Sequence, residues 1–223
     1  MRFAFPAFAA LMLLLPALPV PDFWITQSIY IGLYAIVALG LVLLTGVAGL
    51  TSFGQAAFVG VGAYTAAYLA TQSSLSPWLT LLLGVALAVG AAVILGALTL
   101  RMSGHYLPLA TIAWGLALNY TMANMEWLGK YDGIQGIPPL TLFGVQLGTG
   151  RGLHPLVWAI ALLAALAALR LLDSRPGRAI RALKGGMEMA EAFGVDGARL
   201  KIVAFVYAAL LACISGWLYA HLQ

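Results

Sequence analysis

Charged residues are scarce in this sequence. Only 8% of its 223 residues are charged, 63% are hydrophobic, and the mean hydropathy is +0.99, whereas about a quarter of the residues in a soluble domain are charged. Apolar runs close to the ~20 residues that cross a bilayer recur along the chain. The composition therefore predicts an integral membrane protein, an all-α polytopic bundle of transmembrane helices, and excludes an ordinary soluble domain.

Residues that build catalytic and metal sites are equally scarce. The three histidines are His105, His154 and His221, and the single cysteine, Cys213, cannot form an internal disulfide. No Cys/His spacing typical of zinc sites occurs, no predicted span contains an acidic residue, and no lysine completes a phosphate-binding loop. We therefore predict no metal, no catalytic residue and no cofactor in this chain. Any ATP-driven work must use another polypeptide.

Several segments are apolar enough to be membrane helices. Residues 1–21 fit a cleaved signal peptide or a first membrane helix, and we favour the helix because no small-residue cleavage site follows. The glycine-rich connection 126–152, with Asp132-Gly133 and Pro138-Pro139, predicts turns rather than a further crossing. The remaining predicted spans are residues 24–44, the stretch from Gly49 to Ala70, and residues 78–100, 105–125, 154–172 and 202–222.

Basic residues are concentrated between the last two predicted spans. The positive-inside rule places this segment, residues 173–200, in the cytoplasm. Counting crossings backwards puts Arg2 and Arg101 on the same side, and Lys130 and Arg151 on the other. The net charge of +4 thus indicates topology. On nucleic-acid-binding surfaces aromatic residues accompany the basic ones, and here few do. No nucleic-acid partner is predicted.

The stretch from Gly49 to Tyr64 interrupts the apolar pattern. It reads Gly-Leu-Thr-Ser-Phe-Gly-Gln-Ala-Ala-Phe-Val-Gly-Val-Gly-Ala-Tyr. Because lipid cannot satisfy polar groups, it should line a watery path or form tight helix contacts. The polar side chains favour a path, and the charge count puts their start near the cytoplasm, as an inner gate. The side chains that we assign to this path are Thr51, Ser52, Gln55 and Tyr64.

Small residues recur every four positions and predict packing seams, because this spacing puts them on one helical face. The packing glycines are Gly54 and Gly62 on one stripe, Gly60 on another, Gly84 and Gly96 with Ala88 and Ala92 between them, and Gly216 on the stripe of Ala204, Ala208, Ala212 and Ala220. Asn119, inside a span, is interpreted first as an interhelical hydrogen-bonding residue and alternatively as a contact to a solute.

The basic segment between the last two spans contains its own helix signals. Residues 187–193 predict a short helix ended by Gly194, and Asp196 can cap a helix that begins near Ala198. So short a helix has no core of its own. It either lies on the membrane surface as a basic connector or docks to a soluble partner.

Three stretches together form a recognisable pattern. They are the Gly49–Tyr64 stretch; Gly104-His-Tyr-Leu-Pro-Leu-Ala-Thr-Ile-Ala113 with Asp132-Gly-Ile-Gln-Gly-Ile-Pro138; and Pro176-Gly-Arg-Ala-Ile-Arg-Ala182 with Ala190-Glu-Ala-Phe-Gly-Val195 and Lys201. This pattern resembles the permease subunits of ABC importers for branched-chain amino acids. Family members continue with further helices, so residues 1–223 are expected to be a single permease domain truncated at its C-terminus. Leu116 departs from the acidic or amide side chain of many relatives.

The resemblance implies an import permease of the bacterial plasma (inner) membrane that moves branched-chain or similar amino acids inward by alternating access. It implies two ABC ATPase subunits, which use the ATP, a second permease subunit, an extracytoplasmic solute-binding protein and surrounding membrane lipid. The short helix becomes a coupling helix, with Glu188, Ala190, Glu191 and Gly194 against the ATPase. The alternatives are a permease for an amide, urea or sugar, and a channel or enzyme that works without an ATPase.

Overall fold

The computed structural model describes residues 4–73, 75–99, 106–142, 145–148, 150–192 and 194–222. Several residues used in the predictions lie outside these ranges, as do some side chains within them. They are Arg2, Arg101, Gly104, His105 and Phe193, and the side chain of Glu188.

The described chain is mainly helical, which confirms the predicted all-α bundle. A hairpin of two short antiparallel strands, with Leu140 opposite Leu147, and helix α7 are findings that the sequence pattern does not predict. The elements are α1 (Ala4–Leu14), α2 (Asp22–Leu41), α3 (Gln55–Gln72), α4 (Pro77–Thr99), α5 (Tyr106–Asn124), β1 (Leu140–Leu142), β2 (Val145–Leu147), α6 (His154–Asp173), α7 (Arg175–Gly185), α8 (Met187–Ala192) and α9 (Gly197–Ala220).

Four of these helices are long and apolar enough to cross a membrane: α2 with its continuation to Val47, α4, α6 and α9. They correspond to four predicted spans, and the protein is a multi-pass membrane protein. The predicted first spanning helix does not appear at that length, because the apolar helix of Phe5–Ala17 is shorter than the ~20 residues that a bilayer requires. Helices α3 and α5 are present but more polar.

Helix α9 lies at the centre of the bundle and packs against α2, α3 and α4. The predicted small-residue stripe on α9 is buried along its whole length, as is the stripe of Gly84, Ala88, Ala92 and Gly96 on α4. Backbones approach closely along such stripes, which drives helix association in lipid. The large side chains of Phe205 and Trp217 are also fully buried and fill the space around the stripe.

Helix α2 does not end as the ordinary helix predicted for residues 24–44. It continues as a π-helical segment, Val42–Val47, a geometry that is rare and frequent at functional sites. Gly49 then adopts a φ of +71°, which glycine tolerates without steric cost, and the amide of Leu50 donates to the carbonyl of Leu44 at 3.0 Å. Helix α3 starts at Gln55, so the glycine-rich stretch begins with a break in the helix.

Helices α7 and α8 fill the connection between α6 and α9. Ser174 caps α7 by accepting from the amide of Gly177 at 3.3 Å. Gly194, with a φ of +80°, ends α8, and its amide donates to the carbonyl of Glu191 at 2.9 Å. Asp196 accepts from the amide of Arg199 at 3.0 Å and caps α9. The predicted short helix, its glycine end and the aspartate cap are therefore present, with α9 starting at Gly197.

Arg151 holds the other end of the bundle together. Its guanidinium ion-pairs with Asp22 at 2.8 Å and donates to the carbonyls of Pro16, Leu18 and Val20 at 3.0, 3.3 and 2.5 Å. The start of α2 and the start of α6 consequently lie at the same end, as the counted crossings require.

Candidate functional site

A groove lies between α2 and α3, which both pack on α9. It encloses a cavity of about 450 Å³. Apolar side chains from α2 and α3 form its walls, and Ser52, Gln55 and Ser215 contribute polar groups. No charged side chain lines this cavity among the described residues. The groove therefore presents dipoles and apolar surface to whatever enters it.

Ser52 and Gln55 are the unusual members of the groove wall. Their exposed fractions are 5% and 4%, yet the hydroxyl of Ser52 and both amide atoms of Gln55 have no hydrogen-bond partner in the described part of the chain. A buried polar group without a partner costs about 1–3 kcal/mol. An amide both donates and accepts, and a hydroxyl does so too, so these two side chains can bind a polar guest once a rotamer change turns their buried polar atoms toward the cavity.

The remaining polar groups of the groove come from helices that are distant in sequence. The hydroxyl of Ser215 on α9 donates to the carbonyl of Leu33 on α2 at 2.9 Å. This bond joins α9, the floor of the groove, to α2, one of its walls. The rings of Tyr30 and Tyr219 lie 6.4 Å apart and close the same side. Sequence reasoning missed Tyr30 and Tyr34 on α2 and Ser215 and Tyr219 on α9, because nothing in their local pattern shows that they line the same cavity as Gln55.

A second cavity, of about 310 Å³, lies between α3 and α5. Tyr64 and Asn119 line this cavity, whereas Phe53 and Ala56 line both cavities and separate them. Asn119 is exposed on α5, and Thr51 is half-buried and lines neither cavity. Four of the five residues assigned to one path from the sequence are therefore divided between two cavities, and Thr51 lies in neither.

The glycines assigned to helix packing have very different neighbours. Gly62 lies against the backbone of Cys213, and Gly216 lies against the backbone of Val59, at the crossing of α3 and α9. In contrast, Gly60 faces the Met122 side chain. The other assigned positions are Gly54, which faces the ring of Trp114; Gly84, which faces Thr65 and the sulfur of Cys213; and Gly96, which is buried.

Helix α8 packs on α7 and α9, and its described side chains point in different directions. Glu191 and Gly194 are exposed, whereas Ala190 is only 5% exposed. Ala190 therefore packs inside this chain and is not available as a surface contact. Among the described residues, no group of three or more His, Cys, Asp or Glu side chains is placed to hold a metal ion.

Comparisons with known proteins agree with the resemblance seen in the sequence. The family model described as "Branched-chain amino acid transport system / permease component" matches residues 23–223. The proteins called "High-affinity branched-chain amino acid transport system permease protein LivM" of Salmonella typhimurium strain LT2 and Escherichia coli strain K12 are each 31% identical in an alignment of length 215 that covers 86% of this chain and 51% of the relative. The chain thus spans about half the length of the curated relatives it matches. No solved structure matches it significantly.

Proposed function

Because this chain belongs to the permease family of branched-chain amino acid transport systems, we propose that it is a permease subunit of an ATP-driven importer of the bacterial inner membrane. It takes branched-chain or similar amino acids inward by alternating access. The family is one of transport components, not of enzymes. The observation that carries the proposal is the uncharged groove between α2 and α3, in which the buried Ser52 and Gln55 have unpartnered polar atoms.

The chemistry of the groove fits an amino acid with an apolar side chain. Leu33, Val37 and Val59 offer apolar wall for an aliphatic side chain. The hydroxyl of Ser52 and the amide nitrogen of Gln55 can donate to a carboxylate, and the amide oxygen can accept from an ammonium group. Helix α3 starts at Gln55, and the positive end of its dipole favours a carboxylate there. The two charges of a zwitterion are then met by dipoles of the protein, and the groove needs no charged side chain in the membrane.

The partners of the importer follow from the same proposal. Two ABC ATPase subunits hydrolyse the ATP, a second permease subunit completes the membrane domain, and an extracytoplasmic solute-binding protein delivers the amino acid. Helix α8 docks on an ATPase through its exposed Glu191, and the turn at Gly194 sets its exit. A short helix seated on a closing partner moves as a rigid body, which supports its assignment as the coupling helix.

Uptake measurements on the assembled importer test the groove. In vesicles containing the importer with this chain, we expect Gln55→Leu and Ser52→Ala each to lower the apparent affinity for radiolabelled leucine about tenfold, the effect of removing about 1.4 kcal/mol of binding. Thr51→Val is the matched control, because Thr51 is a neighbouring polar residue outside both cavities. Normal affinity in both groove variants would rule out this groove as the binding site.

The same vesicles separate the solutes. Unlabelled valine and isoleucine should compete with leucine, whereas urea, a simple amide and a sugar should not. Competition by one of the latter group instead would assign the permease to that solute. Uptake that persists without the ATPase subunits or ATP would identify a channel and contradict the proposal of an ATP-driven importer.

A further inference from the structure

Lys184 connects helix α7 to the end of α2. Its Nζ donates to the carbonyl of Gly46 at 2.9 Å, inside the π-helical segment. Its aliphatic carbons pack beside Gly49, where a Cβ atom would lie 3.5 Å from Cγ of Lys184. One side chain therefore touches both the π-helical segment and the turn that leads to Ser52.

The chemistry of this contact is that of a cation at a helix end. The last carbonyls of a helix have no partner within the helix and carry the negative end of its dipole. A charge-assisted hydrogen bond from an ammonium group is stronger than a neutral one. Lys184 thus stabilises the irregular end of α2 in the position in which the following turn reaches the groove.

The other basic side chains of α7 show what is special about Lys184. Arg178 donates to the carbonyl of Asp173 at 2.6 Å, and Arg181 donates to the carbonyl of Leu172. Both arginines therefore bind the end of α6, the helix immediately before α7. Lys184 instead reaches across to α2, so that α7 bridges the ends of two helices.

Helix α7 is also the neighbour of α8. The two helices pack together and are joined at Gly186. On its buried face, Ile180 belongs to the same apolar cluster as Leu44, which lies in the π-helical segment, and Ala48 and Leu50, which follow it. Helix α8 thus contacts α7, and α7 holds the chain just before Ser52 through both apolar packing and Lys184.

We propose that Lys184 is a positioning residue that transmits the movement of α8 to the groove through Gly46 and Gly49. This inference rests on the proposed function, since it gives the docked coupling helix a defined route to the substrate path. Lys184 does not touch the transported solute. Replacing Lys184 should uncouple ATP hydrolysis from the conformational change in the groove, while α8 and the groove themselves remain folded.

The test uses the assembled importer with a reporter at Phe53→Cys. Phe53 lines both cavities and is 63% exposed, while the natural Cys213 is fully buried and gives little background with a thiol reagent. Labelling at position 53 is compared with and without nucleotide trapped on the ATPase. ATPase activity and leucine uptake are measured without the reporter. The variants are Lys184→Met, the conservative Lys184→Arg, and the matched control Arg178→Met, which removes a carbonyl contact of α7 to α6.

For Lys184→Met we expect uptake to fall about tenfold, within the range typical of coupling between sites, with ATPase activity retained. Labelling at position 53 should no longer respond to nucleotide. Lys184→Arg should retain both the uptake and the nucleotide response at position 53, and Arg178→Met should retain the nucleotide response. A nucleotide response in Lys184→Met equal to that in Arg178→Met overturns the inference. So does a loss of assembled complex in proportion to the loss of uptake, which would show a structural role.

The labelling readout also separates this inference from the proposed function. If the unaltered importer takes up no amino acid, the proposed substrate is wrong, but the nucleotide response of position 53 still tests Lys184. If uptake is normal and Lys184→Met keeps the full nucleotide response at position 53, the route is wrong and the groove assignment stands.

Discussion

Helix α3 meets α9 on one face and α5 on another, and the two contacts are built differently. At the α9 contact, backbone lies on backbone, with Gly62 against Cys213 and Gly216 against Val59. At the α5 contact, a cavity of about 310 Å³ separates the helices and Met122 fills the space beside Gly60. Within Tyr106–Asn124, all of which is described, only two residues of α5 are buried.

This difference indicates which parts of the bundle can move relative to each other. Backbone atoms cannot change rotamer, so the α3–α9 contact either keeps its geometry or separates. Side chains can repack, and methionine does so more easily than other residues because it is unbranched and has three rotatable bonds. We therefore expect α3 and α9 to move as one body, carrying the groove with them, while α5 changes its position against them during transport.

The largest expected effect is that of Gly62→Ala. The added methyl group would lie 2.8 Å from the carbonyl carbon of Cys213 and 2.9 Å from its Cα, so the helices must separate. We expect a loss of stability at the upper end of the range of about 1–3 kcal/mol typical of overpacking, measured as a lower midpoint of thermal unfolding in detergent. Gly90→Ala is the control, because no described atom outside its own stretch of helix lies within 4 Å of the added Cβ. Equal midpoints for the two variants would show that the α3–α9 contact is not fixed.

Spacing predicted which residues share a helix face, but not what that face meets. Gly60 and Gly62 look alike in the sequence, yet one faces the Met122 side chain and the other faces the Cys213 backbone. The seams on α4 and α9 were predictable because all their members are small and recur every four residues. Their partner helices, and the division between a fixed and an adjustable contact, depend on how distant parts of the chain meet.

The candidate site was predictable to the same extent. Ser52 and Gln55 were visible as polar residues at membrane depth. The floor of the groove on α9 was not predictable, because Ser215 and Tyr219 lie more than a hundred residues later in the sequence, on an otherwise apolar helix. Helix α7 was missed because Pro176 and Gly177 are typical of a loop, although proline at the start of a helix is well tolerated. The π-helical segment is hidden in an apolar run that an ordinary helix would also fit.

An intermediate effect is expected at Gly54, where α3 begins beside α5. A methyl group there would lie 2.5 Å from the Trp114 ring and 3.0 Å from the Thr111 carbonyl oxygen. The ring can turn away, but the carbonyl cannot, so we expect Gly54→Ala to lower stability by about 1 kcal/mol, at the low end of overpacking costs. In a double-mutant cycle, Trp114→Leu should recover part of this loss. Additive losses would show that the ring is not what resists the methyl group.

The smallest effect is expected for Gly60→Ala. The added methyl group would lie 3.2 Å from the sulfur of Met122, the far part of a flexible side chain that can move into the cavity. The strain is therefore small, and alanine is favoured over glycine within a helix by up to about 1 kcal/mol, so the unfolding midpoint should stay unchanged or rise. A loss as large as that of Gly62→Ala would mean that α5 is held against α3 as firmly as α9 is. In that case α3, α5 and α9 would form one body, and the movement that the proposed alternating access requires would have to occur elsewhere in the bundle.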